Sequence, residues 1–214
     1  MKTSSSDGPV AVLPAAGMRA VEAEAFAAGR VTSRAAMERA GQGVAAAILR
    51  HRPPGRALVL CGPGNNGGDG FVVARLLAAQ GWQIEARMLG AGAAAGPDAA
   101  AMRHLWEGGT GTADLLSAPL PGPGPDLLVD ALFGIGLARR IEGAPAVRLA
   151  EISALARGAF RVAVDLPSGL DADRGTVLGM TLPADLSVTF HCRKPAHDLR
   201  PDLCGAVEIV DIGL

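Results

Sequence analysis

The chain has 214 residues, 49% of them hydrophobic and 19% charged, enough apolar material for one globular domain with a sizeable core, which excludes disorder and a coiled coil. Twenty Lys and Arg against 21 Asp and Glu give a formal charge of -1, which excludes a dedicated nucleic-acid binder with a strongly basic face. The longest apolar runs, such as Val44 to Leu49, fall far short of the ~20 residues that span a bilayer, and Met1 to Gly8 lacks the apolar block of a signal peptide. The expected setting is therefore the cytoplasm, with no membrane and no nucleic-acid partner.

Residues 1–15 read as a flexible tail and 16–214 as a single domain. A short helix is expected around Arg19 to Ala28, then an amphipathic helix from Ser33 to Arg50, where Met37, Ala40, Val44, Ala47 and Ile48 recur at helical spacing after the cap Thr32. Pro53, Pro54 and Gly55 stop it. Ala57 to Cys61 is a continuous apolar run of strand length, the pattern of a strand buried on both faces. Gly62 to Gly70 reads as a glycine-rich loop, Phe71 to Gln80 as a helix closed by Gly81, and Gln83 to Leu89 as a second strand, together a β-loop-α-β unit.

Further on, a helix is expected from Pro97 to Trp106, ended by Gly108-Gly109, and the segment Pro119 to Pro125 can only be an irregular connector. Next come a strand Leu127 to Asp130, a helix Pro145 to Arg157, and strands Arg161 to Asp165, Asp185 to Phe190 and Val207 to Val210. Apolar strands alternating with helices predict an α/β fold whose mostly parallel sheet is covered on both sides. Cys61, Cys192 and Cys204 lack metal-ligand or disulfide spacing and read as core thiols.

Ligands of such sheets bind beyond the carboxyl ends of the strands. Three loops qualify: GPGNNGGDG (62–70), DALFGIGL from Asp130 and DLPSGLDADRG from Asp165. Gly62, Gly64 and Gly67 stand in G-x-G-x-x-G register, a phosphate cradle or simply a tight turn. Asn65, Asn66 and Asp69 are more than a dinucleotide loop needs. Glu85, inside its strand, reads as structural rather than as a ribose-binding acid. Asp130 ends a strand and is either a site residue or an N-cap. Asp165 is followed by Pro167, Ser168 and Gly169, but Leu166 breaks any G-x-S-x-G elbow, so a serine hydrolase is not supported. The two Asp carboxylates, Ser168 and Asn66 offer hard oxygen ligands and a proton carrier. Lys194 reads as an exposed lysine, with phosphate contact as the alternative; Arg139 and Arg140 are better placed for phosphate. Asp171, Asp173 and Gly175 read as turn chemistry.

GPGNNGGDG at 62–70, VDALFGIGL at 129–137, VAVDLPSGLDADRG at 162–175, the closing VTF with Lys194 and VEIVDIGL, and the opening MRAVEAEAFAAG with SRAAMERAG resemble the YjeF N-terminal-domain family, the NAD(P)H-hydrate epimerases, from about Met18 to Leu214. The resemblance implies a three-layer α/β/α Rossmann-like fold, usually a homodimer. The implied activity is interconversion of the R and S epimers of hydrated NADH or NADPH, beside an ADP/ATP-dependent dehydratase domain or partner. It further implies that Asn65, Asn66, Gly67, Gly68 and Asp69 bind substrate. Gly134, Ile135, Gly136, Leu137, Ala138, Arg139 and Arg140 would line it, and Asp165 would contact it as the acid-base residue. A potassium ion would be held by Asn66, Asp130 and Ser168. Ile135 departs from the Thr of many members. The competing readings are a non-catalytic nucleotide-binding or scaffolding module on the same fold and a dehydrogenase resting on glycine spacing alone.

Overall fold

Five consecutive apolar residues at Ala57–Cys61 can join a sheet only where both faces are covered. The computed structural model, which describes residues 11–90 and 96–214 without the side chains of 107–110, places them in that position. In chain order the elements are α1 (Ala15–Ala27), α2 (Ser33–His51), β1 (Arg56–Cys61), α3 (Asn65–Ala79), β2 (Gln83–Met88), α4 (Pro97–Thr110) and β3 (Ala113–Asp114). There follow β4 (Leu127–Ala131), α5 (Gly143–Leu155), β5 (Phe160–Val164), β6 (Leu186–Phe190), α6 (Pro195–Leu199), α7 (Pro201–Cys204) and β7 (Ala206–Val210). The seven strands form one sheet in the order β3-β2-β1-β4-β5-β6-β7, and every neighbouring pair is parallel.

The sheet divides two cores by strand alternation. Ala57, Val59 and Cys61 of β1, with Val129 of β4, pack against Val44 and Ile48 of α2 and Phe71 and Leu77 of α3. Leu58 and Leu60, one residue out of step, pack with Leu128 against Leu149 and Ile152 of α5. This is the physical content of the three-layer reading: a period-2 backbone sends an unbroken apolar run to two different helix layers. The chain runs outward from β1 to β3, then returns to β4 and runs outward the other way. The carboxyl ends of β1 and β4 therefore flank the switch point where such sheets open a crevice.

Several boundaries differ from the sequence reading. The glycine-rich loop is only Gly62–Gly64; α3 begins at Asn65, with the Gly64 carbonyl accepting from Gly67 N–H at 3.1 Å. Glycine is disfavoured inside a helix, but here contact demands it, since a Cβ on Gly70 would come within 2.6 Å of Ala131 Cβ. Helix α4 runs past Gly108-Gly109 to Thr110, tied at its end by buried Trp106, whose indole N–H donates to Gly111 O. Helix α1 begins four residues earlier than expected. Of the stretch read as a tail, residues 1–10 lie outside the described residues. Leu13 N–H donates to Arg193 O at 2.9 Å, so 11–15 is docked. The two-residue β3 and the short α6 and α7, each opened by a proline at its first turn, were not expected from periodicity. The three cysteines are buried free thiols. Among the described residues no helix is long and apolar enough to cross a membrane.

Candidate active site

Because β1, β4 and β5 are adjacent, the three loops singled out from sequence leave the sheet side by side. They enclose a cavity of about 500 Å³ lined by Asn65, Asn66 and Asp69 of α3, by Gly134, Ile135 and Gly136 after β4, and by Asp165 after β5. Part of the wall was not foreseen: Met18, Arg19 and Glu22 of α1, with Phe190 at the end of β6 and Lys194 beyond it. Arg19 closes the rim by donating to Ile135 O at 2.8 Å.

Asp165 is held from every side. Its backbone has φ +68°, a left-handed conformation that Asp tolerates better than most residues. Its N–H donates to Val188 O at 2.8 Å, which ties the turn to β6. One carboxylate oxygen, Oδ2, accepts from Ile135 N–H at 3.1 Å. The other, Oδ1, accepts from Thr189 Oγ1 at 2.8 Å and stands 2.8 Å from Lys194 Nζ. Lys194 is thus not the exposed lysine expected from sequence but a buried cation, 1% exposed, that also donates to Thr189 Oγ1 at 2.7 Å and to Phe190 O at 3.2 Å. Burial pushes the Asp165 carboxyl up, but the Lys194 charge, hydrogen bonds from Lys194 and Thr189, and His197 outweigh it and leave the group below the usual carboxylate range. Asp165 is therefore ionised. The Ile135 contribution comes from its backbone N–H, so its departure from Thr leaves this hydrogen bond intact.

Elsewhere in the cavity wall the electrostatics are reversed. Asp69 is buried, and burial together with the nearby charges of Asp165 and Glu22 holds its carboxyl well above the ordinary value. Glu22 is raised as well, by burial and then by Asp165, against the pull of Lys194 and Arg19. The cavity thus sets an ionised carboxylate against two that keep their protons more readily.

Asp130 and Ser168 lie behind the loops rather than in the cavity wall. Asp130 Oδ2 accepts from Ser168 N–H at 2.7 Å, and its Oδ1 accepts from Ser168 Oγ at 2.6 Å and from Leu132 N–H at 3.2 Å. Ser168 Oγ in turn accepts from Phe133 N–H at 2.9 Å. Asp130 is therefore a latch between the β4 and β5 loops and not an N-cap. Burial pushes its carboxyl up to about 6 against the hydrogen bonds from Ser168 and Leu132. Asn66 carries a buried amide nitrogen with no partner among the described residues, and its Oδ1 lies 3.2 Å from where a Cβ of Gly134 would stand. Carboxylate, hydroxyl and amide oxygens are hard donors of the kind a cation of low charge accepts, while in this structure the Asp130 oxygens and Ser168 Oγ are engaged with each other and with Leu132 and Phe133 N–H.

The glycines have other duties than expected. A Cβ on Gly62 would fall 1.8 Å from Leu132 O, and one on Gly67 would fall 1.9 Å from Gly62 O. The spacing therefore permits backbones to meet. The Gly67 and Gly68 amides donate to Gly64 O rather than facing the cavity, and Gly68 packs on Met37. Leu137, Ala138, Arg139 and Arg140 line a neighbouring cavity of about 400 Å³ that shares Phe133 and Gly136 with the first. Arg140 is paired with Glu142 at 2.5 Å. Asp171 forms a turn, accepting from Asp173 and Arg174 N–H, and Asp173 accepts from Ala15 N–H, pinning α1.

Residues 33–196 match the family model described as YjeF-related protein N-terminus. The chain is 44% identical over 214 residues to a Rhodobacter capsulatus protein named NAD(P)H-hydrate epimerase, covering 95% of this chain and 99% of that one. A Roseobacter litoralis protein of the same name is 41% identical, again over 95% of this chain and 99% of its own length. A Methanothermobacter thermautotrophicus protein named bifunctional NAD(P)H-hydrate repair enzyme Nnr is 36% identical, covering 83% of this chain and 36% of that one. In fold the chain is similar to the crystal structure of yeast YNL200c, with a TM-score of 0.76 over 91% of this chain and 86% of that one at 23% identity. The chain belongs to the family of YjeF-related protein N-termini.

Proposed function

We propose that the chain is an NAD(P)H-hydrate epimerase that interconverts the R and S forms of NADH or NADPH hydrated at carbon 6 of the nicotinamide ring. The observation that carries this reading is Asp165, an ionised carboxylate on the wall of the switch-point cavity, fixed by Ile135 N–H and Lys194. The names of relatives that align over nearly their full length support it.

Carbon 6 of the hydrate bears both a hydroxyl and the ring nitrogen, so it is a hemiaminal. Its configuration is lost when a proton moves and either the ring or the C–O bond opens. An ionised Asp165 begins as a proton acceptor, which suits the ring-opening route. It takes the hydroxyl proton, the O–H pair becomes the second bond of a carbonyl, and the C6–N bond breaks with its pair going to nitrogen, which is then protonated. Asp69 lines the same cavity, and burial with the charges of Asp165 and Glu22 holds its carboxyl above the ordinary value, the direction that suits the acid for that nitrogen. Closure on the other face of the carbonyl reverses the transfers. Substrate and product share one oxidation state.

Asn66, Asp130 and Ser168 are the residues that would hold a potassium ion. When bound, it supplies a fixed positive charge that orders the loops after β4 and β5 and the polar groups near the substrate. The chain's own latch between Asp130 and Ser168 performs the same positioning through hydrogen bonds. The reading also includes a homodimer, a cytoplasmic setting, and a dehydratase domain or partner, ADP- or ATP-dependent, that consumes one epimer. The segment Gly134–Arg140, spread over two adjoining cavities, provides length for a dinucleotide.

The test is to mix the purified protein with a single hydrate epimer and follow the ratio of the two by chromatography. The reading expects rapid approach to the mixture reached from the other epimer. A ratio that stays at its uncatalysed rate of change removes it.

A further inference from the structure

Asp165 owes its direction to its backbone, and the left-handed turn that aims it is stabilised by a residue outside the cavity wall. His197, in α6, is fully buried. Its Nδ1 lies 2.9 Å from Lys194 N, and its Nε2 lies 2.9 Å from the backbone oxygen of Asp165. The Lys194 amide can only donate, so Nδ1 is unprotonated and accepts. The ring proton of a neutral imidazole is then on Nε2, which donates to Asp165 O. One ring therefore touches the main chain of both members of the Asp165–Lys194 ion pair, while Thr189 Oγ1 joins their side chains.

We infer that His197 is a positioning residue for the reaction: its Nε2–H holds the Asp165 peptide in the left-handed conformation that sets Oδ2 against Ile135 N–H at the cavity wall. This rests on the epimerase reading for its kinetic consequence, but the geometry stands apart from it. Asp165 at φ +68° is strained relative to ordinary backbone. Its N–H is fixed by Val188 O, and its carbonyl is fixed by His197. Removing the second anchor lets the peptide rotate, and Asp165 Oδ2 leaves Ile135 N–H. The imidazole suits this task because burial holds it neutral. The bond to Asp165 O and the Asp165 charge favour the imidazolium, while Lys194 and Arg193 oppose it, and burial is the largest influence.

Two amide substitutions separate the two bonds. In His197→Gln the terminal NH₂ reaches the Nε2 position and can donate to Asp165 O. In His197→Asn the shorter amide reaches the Nδ1 position and can serve only Lys194 N–H. The expected result is that kcat in the Asn variant falls about 10- to 100-fold with KM within about twofold, and that Gln restores kcat to within about threefold of wild type. Equal kcat for the two variants, or Asn the faster, with both folded by urea unfolding, overturns the inference.

A second measurement applies to the unaltered protein, so it stands even if neither variant folds. Long-range nitrogen-proton NMR at neutral pH should find the His197 proton on Nε2 and Nδ1 unprotonated. A proton on Nδ1 overturns the inference. Wild-type protein without epimer exchange refutes the functional reading alone and leaves the NMR result to judge the clamp.

Discussion

Lys194 Nζ stands 2.8 Å from Asp165 Oδ1, with the two side chains 1% and 7% exposed. A buried pair of this kind is weak evidence for added stability but strong evidence that neither partner can be removed alone. Lys194→Met keeps the length and deletes the charge. It should destabilise the protein by about 3–5 kcal/mol at neutral pH, because Asp165 is left buried and uncompensated. In the wild type the Asp165 carboxyl is depressed, so its contribution to stability is present above the unfolded value of about 3.9 and is lost as pH falls through the folded value. In the variant burial acts unopposed by Lys194, the carboxyl rises, and the deficit should narrow as pH falls from about 7 to about 5. Urea unfolding at the two pH values measures it; a deficit independent of pH contradicts the pairing.

Asp69 is the opposite case. Its folded carboxyl is raised, so the folded state holds a proton that the unfolded state releases, and stability falls as pH climbs above the unfolded value. Asp69→Asn should therefore raise the melting temperature at neutral pH, by about 2–4 °C for each kcal/mol of relief. The gain should vanish toward about pH 4. Epimer exchange in the same variant should fall by about 10²-fold or more, as expected for loss of a general acid. A melting temperature unchanged across that pH range contradicts the raised carboxyl.

Gly134 faces Asp165 so closely that an added Cβ would come within 2.6 Å of Oδ2. The carboxylate cannot easily yield, since Ile135, Thr189 and Lys194 all hold it. Gly134→Ala is expected to lower kcat by about 10- to 100-fold, because relieving the clash pushes the Gly134 loop and the carboxylate apart and breaks the Ile135 N–H bond to Asp165. Full activity in the alanine variant would mean that Asp165 tolerates a different position.

The oxygen donors Asn66, Asp130 and Ser168 predict selective stabilisation by potassium. At a concentration of 100 times Kd the gain is about 2.7 kcal/mol, measured as a melting-temperature rise in potassium chloride over lithium chloride at equal ionic strength. Ser168→Ala should abolish the difference. The same melting temperature in both salts for the wild type would remove the cation from the account.

Much of the architecture was legible because buried parallel strands announce themselves: Ala57–Cys61 and Leu127–Val129 are unbroken apolar runs of strand length, which need two covered faces. Part of the rim was legible too, since Asp165 follows the apolar strand β5, whereas Asp130, still inside β4, lies behind the loops. The α1 wall was not, because Glu22 and Arg19 sit in an Ala-rich helix far from the glycine motif in sequence. Lys194 was misread because burial of a lysine depends on a carboxylate from another strand, which no local pattern displays. One signal was available: apart from Lys2, every other cation in the chain is Arg, and a single lysine marks a place for a compact ammonium rather than a planar fork. His197 had only a local capping signal, three residues after Lys194 at the start of α6; its bond to Asp165 O is to a main-chain atom of another loop, which no sequence pattern displays.

The most direct measurement is epimer exchange by Asp165→Asn, starting from one pure hydrate epimer. Asn accepts the left-handed backbone and keeps the side-chain outline, so the variant removes the charge and the proton-accepting oxygen while sparing the turn. Loss of about 10²–10⁴-fold in kcat is the expected result for a removed acid-base group. Exchange at the wild-type rate, in protein that melts as a folded chain, would show that the reaction does not pass through Asp165.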